Sequence, residues 1–220
     1  MRPTTEAVPE REEMANAITH GVGIVASLVG GIVLIALAVL RGDGWQIASA
    51  AVFSVSLLLL YVTSTLYHAA RGETAKSRLK TLDHCAIYVL IAGTYTPFTL
   101  VGLRGPLGWG LFTAIWGLAL AGIIFKLFFT GRLKLLSTLM YVAMGWLVVV
   151  VIKPLILAIP REALVWLVVG GLSYTAGTLF YHNRRIPYSH AIWHLFVLFG
   201  SLCHFAAVLT QVASPDASAA

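Results

Sequence analysis

Apolar residues fall in seven long runs, separated by short breaks of charge, Gly or Pro, at approximately residues 17–40, 45–68, 84–103, 107–128, 135–152, 163–182 and 188–211. A helix rises 1.5 Å per residue, so crossing about 30 Å of hydrocarbon takes roughly 20 of them. Each run is close to that length. Within hydrocarbon a segment must satisfy its own backbone N–H and C=O groups, which makes such runs helices. The pattern predicts an all-α integral membrane protein, a seven-transmembrane-helix bundle over residues 16–212. The longest break, 69–83, has no room for a second folded domain. Residues 1–15 read as a polar leader ending in a cap-like Asn16, and 213–220 as a terminal tail. The first run is too long for the apolar stretch of a signal peptide, and the segment before it is acidic, so it is expected to stay attached.

Composition agrees with the pattern. Hydrophobic residues make up 59% of the chain and charged ones 11%, whereas a soluble domain carries about 25% charged residues. Two cysteines are too few for a disulfide framework or a cysteine-based zinc module. The net charge of +6 does not point to nucleic acid, because the basic residues lie in the breaks rather than on one face. Membrane lipids are the expected partners, the anionic surface in particular.

The same basic residues orient the bundle. Arg2, Arg11, Arg71, Lys76, Arg78, Lys80, Lys126, Arg132, Lys134, Arg184 and Arg185 share one side with the leader, against Arg41, Arg104, Lys153 and Arg161 on the other. Positive charge accumulates in the cytoplasm, so the N-terminus is expected there and, after seven crossings, the C-terminus outside. No repeat at a fixed period is visible, and an odd number of spans does not divide into two matched inverted halves.

Candidate chemistry lies in the histidines, seven in all, because ionisable groups within spans are costly unless they pair or bind something. Ser64 and His68 stand four apart at the end of the second run, on one helix face. Asp83 and His84 open the third run, and His190 and His194, again four apart, open the seventh. With alternating crossings these positions share one depth at the cytoplasmic boundary. Three imidazoles with one position left open are a recognised catalytic zinc set. The plainer alternative is that each histidine caps a helix or meets headgroups. For Asp83 it is an N-cap favoured by the helix dipole, and for Ser64 a hydroxyl bonded back to a backbone carbonyl.

Asn16-Ala-Ile-Thr19-His20-Gly21-Val-Gly23, Ser64-Thr65-Leu66-Tyr67-His68, the stretch from Asp83-His84 through Gly93-Thr94-Tyr95-Thr96-Pro97-Phe98, and His190-Ala-Ile-Trp193-His194 together resemble the hemolysin III family. This is the prokaryotic branch of the progestin and adipoQ receptor (PAQR) family, related to alkaline ceramidases, and the resemblance covers almost the whole chain. It implies zinc held by His68, His190 and His194, with Asp83 facing the water at the metal and Ser64 near the site. It further implies a bacterial inner-membrane location and, by relation, hydrolase chemistry. The short leader does not match the longer N-terminal regions of the receptor members.

If zinc is present, Asp83 serves as general base and Ser64 donates to a developing oxyanion or to the water. The expected function is hydrolysis of a lipid amide or ester at the cytosolic leaflet. Alternatives are a zinc-stabilised regulator or receptor-like protein without turnover, a zinc transporter, and the pore-forming toxin that the family's name suggests. His20, four residues after Asn16, supports the site or meets a headgroup. His84 points about 100° from Asp83 and is not expected as a second inner ligand. His182 is expected at the interface, and His204, off the ligand stripe, as a packed polar residue. Cys85 and Cys203 read as small packing residues. Pro97 predicts a kink, Gly30-Gly31 and Gly170-Gly171 close helix approach, and the Tyr61, Ser64, His68 stripe a polar cavity along the second span.

Overall fold

The computed structural model describes residues 9–183 and 185–213. Most of the expected leader, with Arg2, as well as Arg184 and the tail from residue 214, lie outside the described residues. All regular structure among the described residues is helical, and seven helical segments are long and apolar enough to cross a membrane. They are α1 (Glu10–Arg41), α2 (Gly44–Ala69), α3 (Glu73–Pro97), α4 (Pro106–Phe129), α5 (Lys134–Gly145) continued by α6 (Ile152–Ala158), α7 (Arg161–His182) and α8 (Ser189–Ala213). The protein is a multi-pass membrane protein.

Two helices begin well before their apolar runs. α1 starts after Pro9 with Glu10, Glu12 and Glu13 in its first turn, where carboxylates are favoured by the helix dipole. Asn16 is therefore a buried residue inside the helix rather than a cap. α3 starts at Glu73, so Asp83 lies almost three turns into it and is not an N-cap. In both cases the extra turns are too polar to count as a span yet contain no helix breaker.

α3 forms the centre of the bundle. In its most apolar stretch 78% of residues are buried inside the protein, against 22% in the fourth, fifth and sixth spans. It packs between α2 and α4, while α1 lies on α2 and α8, and α7 on α8. The main core joins Leu34, Phe53, Leu60, Leu155 and Val208, and a second cluster gathers around Tyr88, Ile115 and Met144. Leu40, Val150, Leu157 and Leu179 point outward, as lipid-facing side chains do.

Helix ends and breaks have local causes. At the start of α2 the Asp43 carboxylate accepts from the N–H groups of Trp45 and Gln46, while the Gln46 side chain returns a bond to the Asp43 N–H at 2.7 Å. Asp43 also pairs with Arg104, tying the start of α2 to the end of the third span. After Pro97 the regular ladder widens over Phe98–Gly102, and the Leu103 N–H bonds to the Phe98 carbonyl at 2.8 Å. The predicted irregularity at Pro97 thus takes the form of a wide turn. The fifth span changes to a tighter helix over Trp146–Val151, where the Tyr95 hydroxyl donates to the Gly145 carbonyl and accepts from the Val148 N–H, both at 2.8 Å. This span extends to Ala158, past the apolar run, because Pro154 falls in the first turn of α6, where its missing N–H costs nothing. Close approach occurs at Gly31, where an added Cβ would stand 3.0 Å from the Ser54 Cβ.

Candidate metal centre

The end of α2 and the starts of α1, α3 and α8 meet at one end of the bundle. There His68, His190 and His194 converge, each with a ligand nitrogen within 4.8 Å of the others. Their ring centroids are 5.0 Å apart for His68–His190 and for His68–His194, and 4.6 Å for His190–His194. Residues more than a hundred positions apart are brought to one depth by alternating helices.

Two of the rings are oriented by their outer nitrogens. His68 donates Nδ1–H to the Glu13 carboxylate at 2.7 Å, and its buried Nε2 has no hydrogen-bond partner. His194 donates Nδ1–H to the Asn16 carbonyl at 3.1 Å and to the Thr19 hydroxyl at the same distance. A carbonyl or carboxylate only accepts, so Nδ1 carries a proton in each ring, and in the neutral imidazole Nε2 is then the nitrogen with a free lone pair. Three ring nitrogens within 4.8 Å of one another, with two of the rings fixed from behind by oxygen acceptors, are the donor set of a metal site. The three histidines fit a metal ion.

Asp83 and Ser64 line a cavity together with His190 and His194. The Asp83 carboxylate is largely buried there, and His68 and Ser64 are among the groups that act on it. Ser64 is 1% exposed, and its hydroxyl makes no hydrogen bond of ordinary length, the Asp83 carboxylate being the polar group beside it. It therefore does not make the backbone bond that was its structural alternative. His84 donates Nδ1–H to the Lys80 carbonyl at 2.6 Å, and its Nε2 meets the Tyr181 hydroxyl at 3.4 Å. The three-histidine cluster does not include it.

His182 is exposed and bonds Thr138 at 3.0 Å. His204 sits apart from the cluster, its Nε2 donating to the Leu167 carbonyl at 3.3 Å.

Glu13, expected only as part of the polar leader, belongs to the site. It links His68 to Lys76, whose ammonium is 2.9 Å away. A signal was present: Glu13, Asn16, His20, Gly23 and Ser27 recur at three- and four-residue spacing, a polar or small stripe on one helix face. Glu13→Ala is expected to weaken metal binding by about 10- to 100-fold, as loss of a carboxylate behind a ligand histidine does. Glu13→Gln, which keeps an acceptor oxygen, is expected to lose less. Metal titration by calorimetry separates the two, and equal affinity in wild type and Glu13→Ala would show that the contact has no bearing on the ligand.

A family model described as haemolysin-III related matches residues 9–205. The chain is 49% identical over 199 residues to a hemolysin-3 homolog of Bacillus subtilis, covering 90% of this chain and 93% of that protein. It is 48% identical over 202 residues to hemolysin-3 of Bacillus cereus, covering 92% of each. The human monocyte to macrophage differentiation factor is 31% identical over 205 residues, 90% of this chain and 83% of its own length. With a family model spanning the helices and the histidine cluster, and near-full-length relatives at these identities, the chain belongs to the haemolysin-III-related family.

Proposed function

We propose that the protein is a zinc-dependent hydrolase of a lipid amide or ester bond, working at the cytoplasmic side of a bacterial inner membrane. The observation that carries this reading is a cavity of about 230 Å³ among the helices. Its wall is mostly apolar, with Leu90, Leu103, Val148, Leu155 and Leu167 in the lining, and it also takes in Ser64, Asp83, His190 and His194. A mostly apolar cavity that also presents a carboxylate, a hydroxyl and two of the candidate ligand histidines suits a molecule with a long chain and a carbonyl at its end.

Bound zinc would polarise such a carbonyl and acidify a water. His68, His190 and His194 would hold it. In the hydrolysis the oxygen of a water bonds to the acyl carbon and the C–N or C–O bond breaks. Asp83 takes the water's proton and passes it to the departing nitrogen or oxygen. Ser64, whose hydroxyl makes no backbone bond, donates to the carbonyl oxygen as negative charge develops there.

A transport path for a hydrated ion is poorly supported. Beyond the cluster the cavity surface is mostly apolar, and its polar side chains, among them Thr94, Tyr95, Tyr174, Thr175 and His204, include no carboxylate. Purified, metal-loaded protein should release fatty acid from one of a panel of lipid amides and esters chosen by comparing membranes with and without the protein. If no lipid is cleaved while removal of the metal still alters membrane composition, a non-catalytic regulator replaces this reading.

The cytoplasmic placement has its own test. A reporter active only outside the cytoplasm is expected to be active when fused after Ala220 and silent after Lys76, following the lysine and arginine asymmetry. The reverse would put the histidine cluster on the outer side.

A further inference from the structure

His20, in α1, lies face to face with His194, ring centroids 3.5 Å apart and planes inclined by 13°. Its other face-defining neighbour is Tyr61, in edge contact at 5.1 Å. The side chain lines the cavity beside Ser64 and Asp83 and is 3% exposed. Neither ring nitrogen has a hydrogen-bond partner. A buried imidazole with both nitrogens unpaired is costly, and such groups in native proteins ordinarily have a partner, a water or a ligand.

The metal is not that partner. A histidine ligand points an in-plane lone pair at the ion from about 2.0 Å. An ion bound in the plane of His194 would lie well off the nearly parallel plane of His20, and the three nitrogens lying within 4.8 Å of one another belong to His68, His190 and His194. His20 therefore stands beside the ion site, in the wall of the chamber where the polar end of a chain-bearing molecule would rest.

We propose that His20 is a substrate-contacting residue that hydrogen-bonds the polar head of the lipid whose chain occupies the cavity. This inference rests on the lipid-hydrolase reading above. A neutral imidazole offers one donor and one acceptor, so it selects a head with a hydrogen-bonding group next to the acyl carbonyl, such as an amide N–H or a hydroxyl. A bare hydrocarbon chain gains nothing from it.

The test uses the full chain in detergent and two probes that differ in the head alone, a C16 N-acylethanolamine and hexadecane. Each is measured by displacement of a fluorescent chain probe. His20→Phe keeps a ring against His194 and Tyr61 but removes both nitrogens, and His20→Gln restores a donor and an acceptor. Metal content is expected to be unchanged in both variants, and hexadecane to bind equally to all three proteins. Affinity for the N-acylethanolamine should fall by about tenfold or more in His20→Phe, the size of a lost hydrogen bond or two, and partly recover in His20→Gln. If His20→Phe does not fold, His20→Leu takes its place.

Unchanged N-acylethanolamine affinity in the nitrogen-free variant would make His20 a packing residue, and loss of metal would make it part of the ion site. Either result overturns the proposal while leaving the hydrolase reading standing. If the wild type itself binds the N-acylethanolamine no better than hexadecane, the lipid-amide reading fails and takes this inference with it.

Discussion

Purified protein is expected to hold about one zinc ion per chain, and His68→Ala, His190→Ala or His194→Ala to reduce this to below about a tenth, because a three-nitrogen site cannot spare a ligand. Each of these side chains supplies one of the three nitrogens lying within 4.8 Å of one another. Removing one leaves two donors and an open face. His204→Ala is the control: His204 bonds the Leu167 carbonyl and takes no part in the cluster, so its occupancy should equal that of the wild type. Metal analysis of all four variants, prepared alike, decides the matter. Full occupancy in the ligand variants would place any metal elsewhere, and a loss in His204→Ala would point to a metal path through the membrane.

The seven crossings were legible because hydrocarbon imposes a single simple demand, a run of about 20 apolar residues, and the chain meets it seven times. The convergence of His68, His190 and His194 was legible for a related reason. Alternating crossings bring the end of one helix level with the start of the next, and the two i, i+4 spacings keep side chains on one face. The family expected from the motifs is the one to which the chain belongs.

What hydropathy hid was the polar part of each helix. Glu13 and Asn16 fall outside the first apolar run, yet α1 carries them into contact with His68 and His194. Asp83 stands at the edge of the third run, which made a helix cap the natural alternative, whereas α3 begins at Glu73 and places it within a continuous helix. A membrane boundary and a helix boundary are set by different forces. The first follows side-chain transfer into lipid, and the second follows backbone hydrogen bonding and capping. The stacking of His20 on His194 was equally out of reach, since it depends on which faces of α1 and α8 meet.

Asp83→Asn separates an enzyme from a regulator. The change preserves size and much of the hydrogen bonding and removes the charge that accepts a proton, so turnover of a cleaved lipid should fall by about 10²- to 10⁴-fold, the usual contribution of a general base. Metal occupancy should largely survive, because Asp83 lies next to the cluster without belonging to it. Ser64→Ala, made in parallel, tests the neighbouring hydroxyl, which makes no backbone bond whose loss would confuse the result. Turnover and metal content must be measured on the same preparations, so that a variant that has lost its metal is not mistaken for one that has lost its base. Normal turnover in Asp83→Asn with metal retained would remove the carboxylate from the chemistry. The water would then have to lose its proton to another group, and the proposed mechanism would be wrong even if the protein is a hydrolase.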